Sequence, residues 1–256
     1  MANIEAVIFD WGGTLTKPIE VVYEIDTWSE VARHLSADRH EELVVRLGAI
    51  EAELWEISRT TQQGASLEGL LQKVIEEFGL EIAAESLERA ARIHLDLLLP
   101  HIEHDEDAHD VLVALKERGL KVGLLSNTLW PERFHEELLE QAGIRDLIDA
   151  RLYTSCMPYT KPHPEAFRAA MGALDVMRPQ QAVFVGDRPW DDIYGAKSAG
   201  MRTVHRPNAL VPDHAVTPDA VVDDLPTLRA AAATGAVSAD TVIGNYTRTI
   251  DALLTL

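Results

Sequence analysis

Residues 7–16 read VIFDWGGTLT. An apolar run ends in one carboxylate, Asp10, and the chain then turns over Trp11-Gly12-Gly13-Thr14. A strand buried on both faces excludes charge from its middle, whereas its carboxyl end is where an open parallel sheet presents side chains to ligands. The stretch therefore predicts a core strand that delivers one aspartate to the edge of a sheet.

Working outward, the other short apolar runs repeat this plan. IEAVIF (4–9), KVGLLS (121–126), AVFVGD (182–187) and RTVHR (202–206) read as strands buried on both faces, with RLYTS (151–155) and AVV (220–222) as shorter ones. Helical patterns lie between them: 107–119 closing on Gly119, 132–143 closing on Gly143, 163–174 with Pro164 in its first turn, and 191–200 closing on Gly200. Strands alternating with helices specify an α/β fold, a Rossmann-like, mainly parallel sheet with helices on both faces.

One region breaks the alternation. From about Lys17 to His104 no strand is evident, and YEIDTWSEVARHL, RHEELVVRLGAIEAELWEI, LEGLLQKVIEEFG and AESLERAARIHLDLLL read as four helices punctuated by Gly64 and Gly79. The expected division is a core of 1–16 and 105–235, a helical insert of 17–104, and a C-terminal helical extension of 236–256. HIEHDEDAHD (101–110) reads as a solvated connection returning from insert to core.

The residues just past each strand carry the chemistry. They are Asp10, then Ser126 and Asn127, then Lys161 in YTKPHPEAF, then Asp187, Asp191 and Asp192 in GDRPWDD. In a parallel sheet these loops open on one edge. Several carboxylates in one small site require a cation, and an oxygen-seeking Mg²⁺ suits them. A phosphate then becomes a good guest, met by the Ser126 hydroxyl, by backbone N–H groups near Gly12 and Gly13, and by the Lys161 ammonium. One carboxylate remains as nucleophile, and Asp10 at a strand end suits attack on phosphorus.

The chain has 256 residues, 46% of them hydrophobic and 25% charged, enough for a sizeable core and a smaller accessory domain. A net charge of -19 repels phosphate backbones and anionic membranes, which argues against nucleic-acid and membrane partners. The single cysteine, Cys156, excludes an internal disulfide and a cysteine-based zinc site. The N-terminus lacks the pattern of a secretory leader and no apolar run approaches membrane-spanning length, so a cytoplasmic location is expected.

Taken in order, FDWGGTLT, LLSNT, TKPHPEAF and VGDRPWDDIYGAKSAGM resemble the four motifs of the haloacid dehalogenase-like hydrolase superfamily. The resemblance implies a Rossmann-like core with a mobile helical cap that selects the substrate. It implies Asp10 and Lys161 as catalytic residues, Asp10 as nucleophile. Thr14, Ser126, Asn127 and Lys161 would bind substrate phosphate. Asp10, the Gly12 carbonyl, Asp187 and Asp192 would hold Mg²⁺, with Asp192 preferred over its neighbour Asp191.

Phosphatases of this superfamily usually carry a second aspartate two residues after the nucleophile, which protonates the leaving oxygen. This chain has Gly12 there. Three readings follow: a phosphatase of a small phosphorylated metabolite, a carbon–phosphorus or carbon–halogen hydrolase, or a non-catalytic phosphate-binding protein. DWGGT is similar to the DWAGT of phosphonoacetaldehyde hydrolases, which need a cap lysine, and the insert offers Lys73. A homodimer through the C-terminal helix is a further expectation.

Overall fold

The computed structural model describes residues 4–18 and 26–222. Six parallel strands form one sheet: β1 (Ala6–Phe9), β2 (Lys121–Ser126), β3 (Ala150–Tyr153), β4 (Ala182–Gly186), β5 (Arg202–His205) and β6 (Ala220–Val221). Their spatial order is β3-β2-β1-β4-β5-β6. β1 therefore sits between β2 and β4, where the winding of the chain reverses, and this is where a doubly wound sheet leaves a crevice for ligand.

Each central strand splits its side chains between two apolar cores. Val7 and Phe9 join Val122, Leu124, Val183 and Val185 on one face, while Ala6 and Ile8 join Leu125, Ala182 and Phe184 on the other. All are almost fully buried, which explains their unbroken apolar spelling.

Among the described residues, four α-helices lie between β1 and β2 before α5 (Ala108–Glu117): α1 (Trp28–Leu35), α2 (His40–Thr61), α3 (Leu67–Phe78) and α4 (Ala84–Leu98). Ser66 caps α3 by accepting the Gly69 N–H at 3.1 Å, and Gly79 closes it in the left-handed region. The interior of the insert, including Val31, Leu43, Leu47, Leu70 and Leu95, is continuous with the Val7–Phe9 core.

Three expectations need correction. The helix expected to end at Ile57 runs on to Thr61, and Gln62 takes its left-handed cap at φ 57°, with Gly64 beyond it. The segment expected as a helix from 191 begins instead at Pro189 as a wide π turn, Pro189–Tyr194, before the short α8 (Gly195–Ser198). The return connection at 101–110 is not uniformly solvated. His104 is partly buried, pairs with Thr16 in an antiparallel bridge, and accepts the Trp11 indole N–H at 3.3 Å. Asp105 is likewise tied, accepting from Arg206 Nη2 at 2.7 Å.

The remaining helices are α6 (Glu132–Gln141) and α7 (Pro164–Ala173). Among the described residues, no helix is long and apolar enough to cross a membrane. The expected C-terminal helix at 236–256 lies outside the described residues.

Candidate active site

Asp10 follows β1 directly, and its backbone N–H still donates to Val185 at 2.8 Å, so the aspartate is held at the crevice by the sheet itself. The chain then coils tightly. Leu15 and Thr16 both donate backbone N–H groups to the Trp11 carbonyl, at 2.9 and 3.0 Å. Gly13 makes the coil possible. Its φ is +78°, and a Cβ there would lie 2.3 Å from Asp187 Oδ2. Gly12 differs, because a Cβ on it would meet nothing within 4 Å.

Lys161 is the centre of the charge arrangement. Fully buried, its Nζ donates to Asp10 Oδ1 and to Asp192 Oδ1, both at 2.6 Å. Burial works against its charge, but the two carboxylates outweigh that and raise its pKa. The Lys161 backbone is clamped in turn: Asn127 Nδ2 donates to the Lys161 carbonyl and Asn127 Oδ1 accepts the Lys161 N–H, each at 2.9 Å. Asn127 thus positions the lysine, and its side chain also lines the cavity where a phosphate donor was expected. Asp192 also accepts the Arg188 backbone N–H at 2.9 Å, whereas Asp191 is only partly buried and lies 3.9 Å from the Arg188 guanidinium.

Asp187 completes the group. Asn208 Nδ2 donates to its Oδ2 at 2.7 Å, and its buried Oδ1 has no hydrogen-bond partner. Oxygens of Asp10, Asp187 and Asp192 lie within 4.8 Å of one another. Burial, then the neighbouring Asp10 and Asp192 charges, push the Asp187 carboxyl up to about 7. Burial also raises Asp10, against the pull of Lys161. One ammonium among three buried carboxylates leaves negative charge uncompensated, and an orphaned buried oxygen points the same way. The donor set fits a hard divalent cation.

A cavity of about 760 Å³ opens over Asp10. Its floor comes from the sheet loops, with Gly12, Ser126, Asn127, Asp187 and Arg188, and its roof from the insert, with Trp28, Glu51, Trp55 and His94. Trp11 forms a wall and is itself boxed by His104, Trp130 and His135. Ser126 is buried beside Asp10 at the end of the neighbouring strand. Thr14 is also buried, and its Oγ1 has no partner. Lys73 lies elsewhere: its ammonium is paired with Glu53 on the outer face of the insert and does not line the cavity.

Arg206 and Asn208 escaped the sequence reading. Arg206 Nη1 donates to the carbonyls of Gly13 and Thr14 at 3.0 and 2.7 Å, fastening the Asp10 loop from beyond β5. The signal was available, because β5 is parallel to β4 and its carboxyl end opens on the same edge.

The model of the haloacid dehalogenase-like hydrolases matches residues 4–200. The chain is a haloacid dehalogenase-like hydrolase. Among its relatives, a phosphatase of Mycobacterium tuberculosis is 29% identical over 89% of this chain and 96% of its own length. A glyceraldehyde 3-phosphate phosphatase of Pyrococcus abyssi is 37% identical over 97 residues, 38% of this chain. That match spans only 40% of the archaeal protein's length. Among solved structures, a 2-haloacid dehalogenase from Pseudomonas syringae superposes with a TM-score of 0.64 at 23% identity, covering 88% of this chain and 96% of that one. Phosphatases and a dehalogenase share this hydrolase fold, so the fold leaves the bond that is cleaved open.

Proposed function

We propose that the protein is a Mg²⁺-dependent phosphatase of a small phosphorylated metabolite, acting through an aspartyl-phosphate at Asp10, with the helices of residues 17–104 serving as its cap. The observation that carries this reading is the buried Asp10–Lys161–Asp192 group facing Asp187 at the floor of a cavity roofed by the insert. Relatives named as phosphatases support the choice of phosphorus as electrophile.

In this mechanism Asp10, the Gly12 carbonyl, Asp187 and Asp192 hold the metal. Bound Mg²⁺ supplies positive charge to the phosphoryl oxygens. Thr14, Ser126 and Lys161 bind the phosphate, and Asn127 fixes Lys161. The Asp10 carboxylate attacks phosphorus and the bond to the leaving oxygen breaks, that oxygen taking a proton. Water then attacks phosphorus, the bond to Asp10 breaks, and inorganic phosphate leaves. Trp11 and the roof enclose part of the site while this happens. With no carboxylate at position 12, both proton transfers rely on solvent or on another residue, which slows the release of poor leaving groups.

Lys73 weighs against the phosphonoacetaldehyde-type reading, since it is turned away from the cavity and bound to Glu53. The deciding experiment is phosphate release from a panel of phosphomonoesters with Mg²⁺. Wild type turns over at least one ester and Asp10→Asn turns over none. Equal activity of the two proteins refutes the mechanism.

A further inference from the structure

The roof of the cavity holds chemistry that the phosphoryl site does not use. Among the described residues, Glu51 is the one acid that the insert contributes to the cavity lining. It sits on α2, partly buried, and its one described hydrogen bond is from Trp28 Nε1 to Oε2 at 2.9 Å. No described Lys or Arg pairs with it. A sequestered carboxylate normally has a cationic partner. Burial accordingly pushes its carboxyl above the usual range, with no nearby cation pulling the other way.

Two further observations point to a ligand. His94 is 3% exposed and lines the same cavity, yet its Nδ1 has no partner. Burial alone lowers its pKa to about 4, so the ring is neutral and offers a hydrogen bond rather than a charge. The walls are aromatic as well. Trp28 lies stacked on His94 with ring centroids 4.3 Å apart, and Trp55, 43% exposed, joins the lining although packing does not require it. A carboxylate in an aromatic-walled cavity is a setting that attracts organic cations.

We propose that Glu51, with Trp28, Trp55 and His94, forms a subsite for a positively charged amine on the leaving-group side of the substrate. The substrate class is then an aminoalkyl phosphomonoester: its phosphate meets Asp10 and Lys161 on the floor, and its ammonium meets Glu51 at the roof. Such a ligand brings to the roof the cationic partner that Glu51 lacks, while on the floor its phosphate is met by the Lys161 ammonium. A cavity of about 760 Å³ accommodates a molecule of this size.

The subsite rests on the phosphatase reading, and two measurements separate them. The first is binding, by calorimetry, to Asp10→Asn protein with Mg²⁺. The ligands are aminoethylphosphonate and propylphosphonate, which carries a methyl group in place of the ammonium. The amine binds about tenfold more tightly, and adding Glu51→Gln removes that preference while leaving propylphosphonate affinity unchanged. Trp55→Leu, at a half-exposed position that the fold tolerates, weakens the amine severalfold and spares the alkyl ligand. The second measurement is turnover by wild type, where phosphoethanolamine exceeds propyl phosphate in kcat/KM through a lower KM. If neither ester is hydrolysed but the binding preference stands, the phosphatase reading fails and the subsite survives. Equal affinity for the two phosphonates, or a preference untouched by Glu51→Gln, overturns the subsite. So does a Glu51→Gln protein that keeps the preference but loses kcat on both esters, because Glu51 is then a proton donor.

Discussion

Lys161 and the carboxylates around it show what single residues decide here. Removing the ammonium leaves Asp10 and Asp192 buried against each other, and breaking a buried pair costs about 3–5 kcal/mol. Lys161→Met should therefore lower the melting temperature by several degrees and abolish turnover, and Mg²⁺ should recover part of the stability, as thermal melts with and without the ion would show. Asp187 gives a pH signature in the metal-free protein. Its folded pKa, about 7, lies above the unfolded value of about 3.9, so the folded state binds more protons between the two. Its contribution thus becomes less favourable as pH rises from about 4 to 7. The stabilisation by Mg²⁺ should grow across that window, since the ion replaces those protons, and melts at pH 5 and pH 8 measure the difference. Gly12 offers the opposite kind of change. Open space surrounds its Cβ position, so Gly12→Asp should fold normally and speed turnover of poor leaving groups by about 10²-fold or more. A slower variant would show that the position serves another purpose. At this scale the floor of the site was legible because each of its residues follows a strand. Arg206 and Asn208 were missed although they follow β5 on the same edge, because their partners Gly13, Thr14 and Asp187 lie far off in sequence and only the strand order brings them together.

At the scale of elements, the loop between α2 and α3 shows how the insert is fastened to the sheet domain. Gly64 donates its N–H to Pro158 at 3.1 Å, Thr160 donates to Gln62 at 3.0 Å, and Leu67 donates to Leu129 at 2.7 Å. A Cβ at Gly64 would lie 2.1 Å from the Met157 carbonyl oxygen and 2.5 Å from that of Thr154, both backbone atoms that cannot swing away. Gly64→Val should lift this loop from the core while leaving the helices intact. Faster limited proteolysis near residue 64 with unchanged circular dichroism would register it, together with a raised KM. The same glycine shows where sequence reading stops. A glycine after a helical pattern is ordinarily a terminator, but here the helix has already closed at Gln62 and the glycine serves a contact with residues some 90 positions away. The inner strands were legible because burial on both faces writes an unbroken apolar word. The edge strand β3, with Ala150, Arg151 and Leu152 only partly buried, is spelled more loosely.

Across the whole molecule, the order of strands has a temporal meaning. β1 has no neighbour near it in sequence: Ala6 pairs with Lys121 on one side and Ala182 on the other. The helices between β1 and β2 instead pack on one another, α1 against α2 and α4, and α3 against α2 and α4. Local contacts form before distant ones. Pulse-labelling hydrogen exchange during refolding should therefore protect α1–α4 before the amides of β1, and simultaneous protection would contradict this. On a ribosome the consequence is sharper. Asp10, the proposed nucleophile, is synthesised long before the second neighbour of its strand, so it should wait beside the helical companion until residue 182 has emerged and the centre of the sheet can close around it.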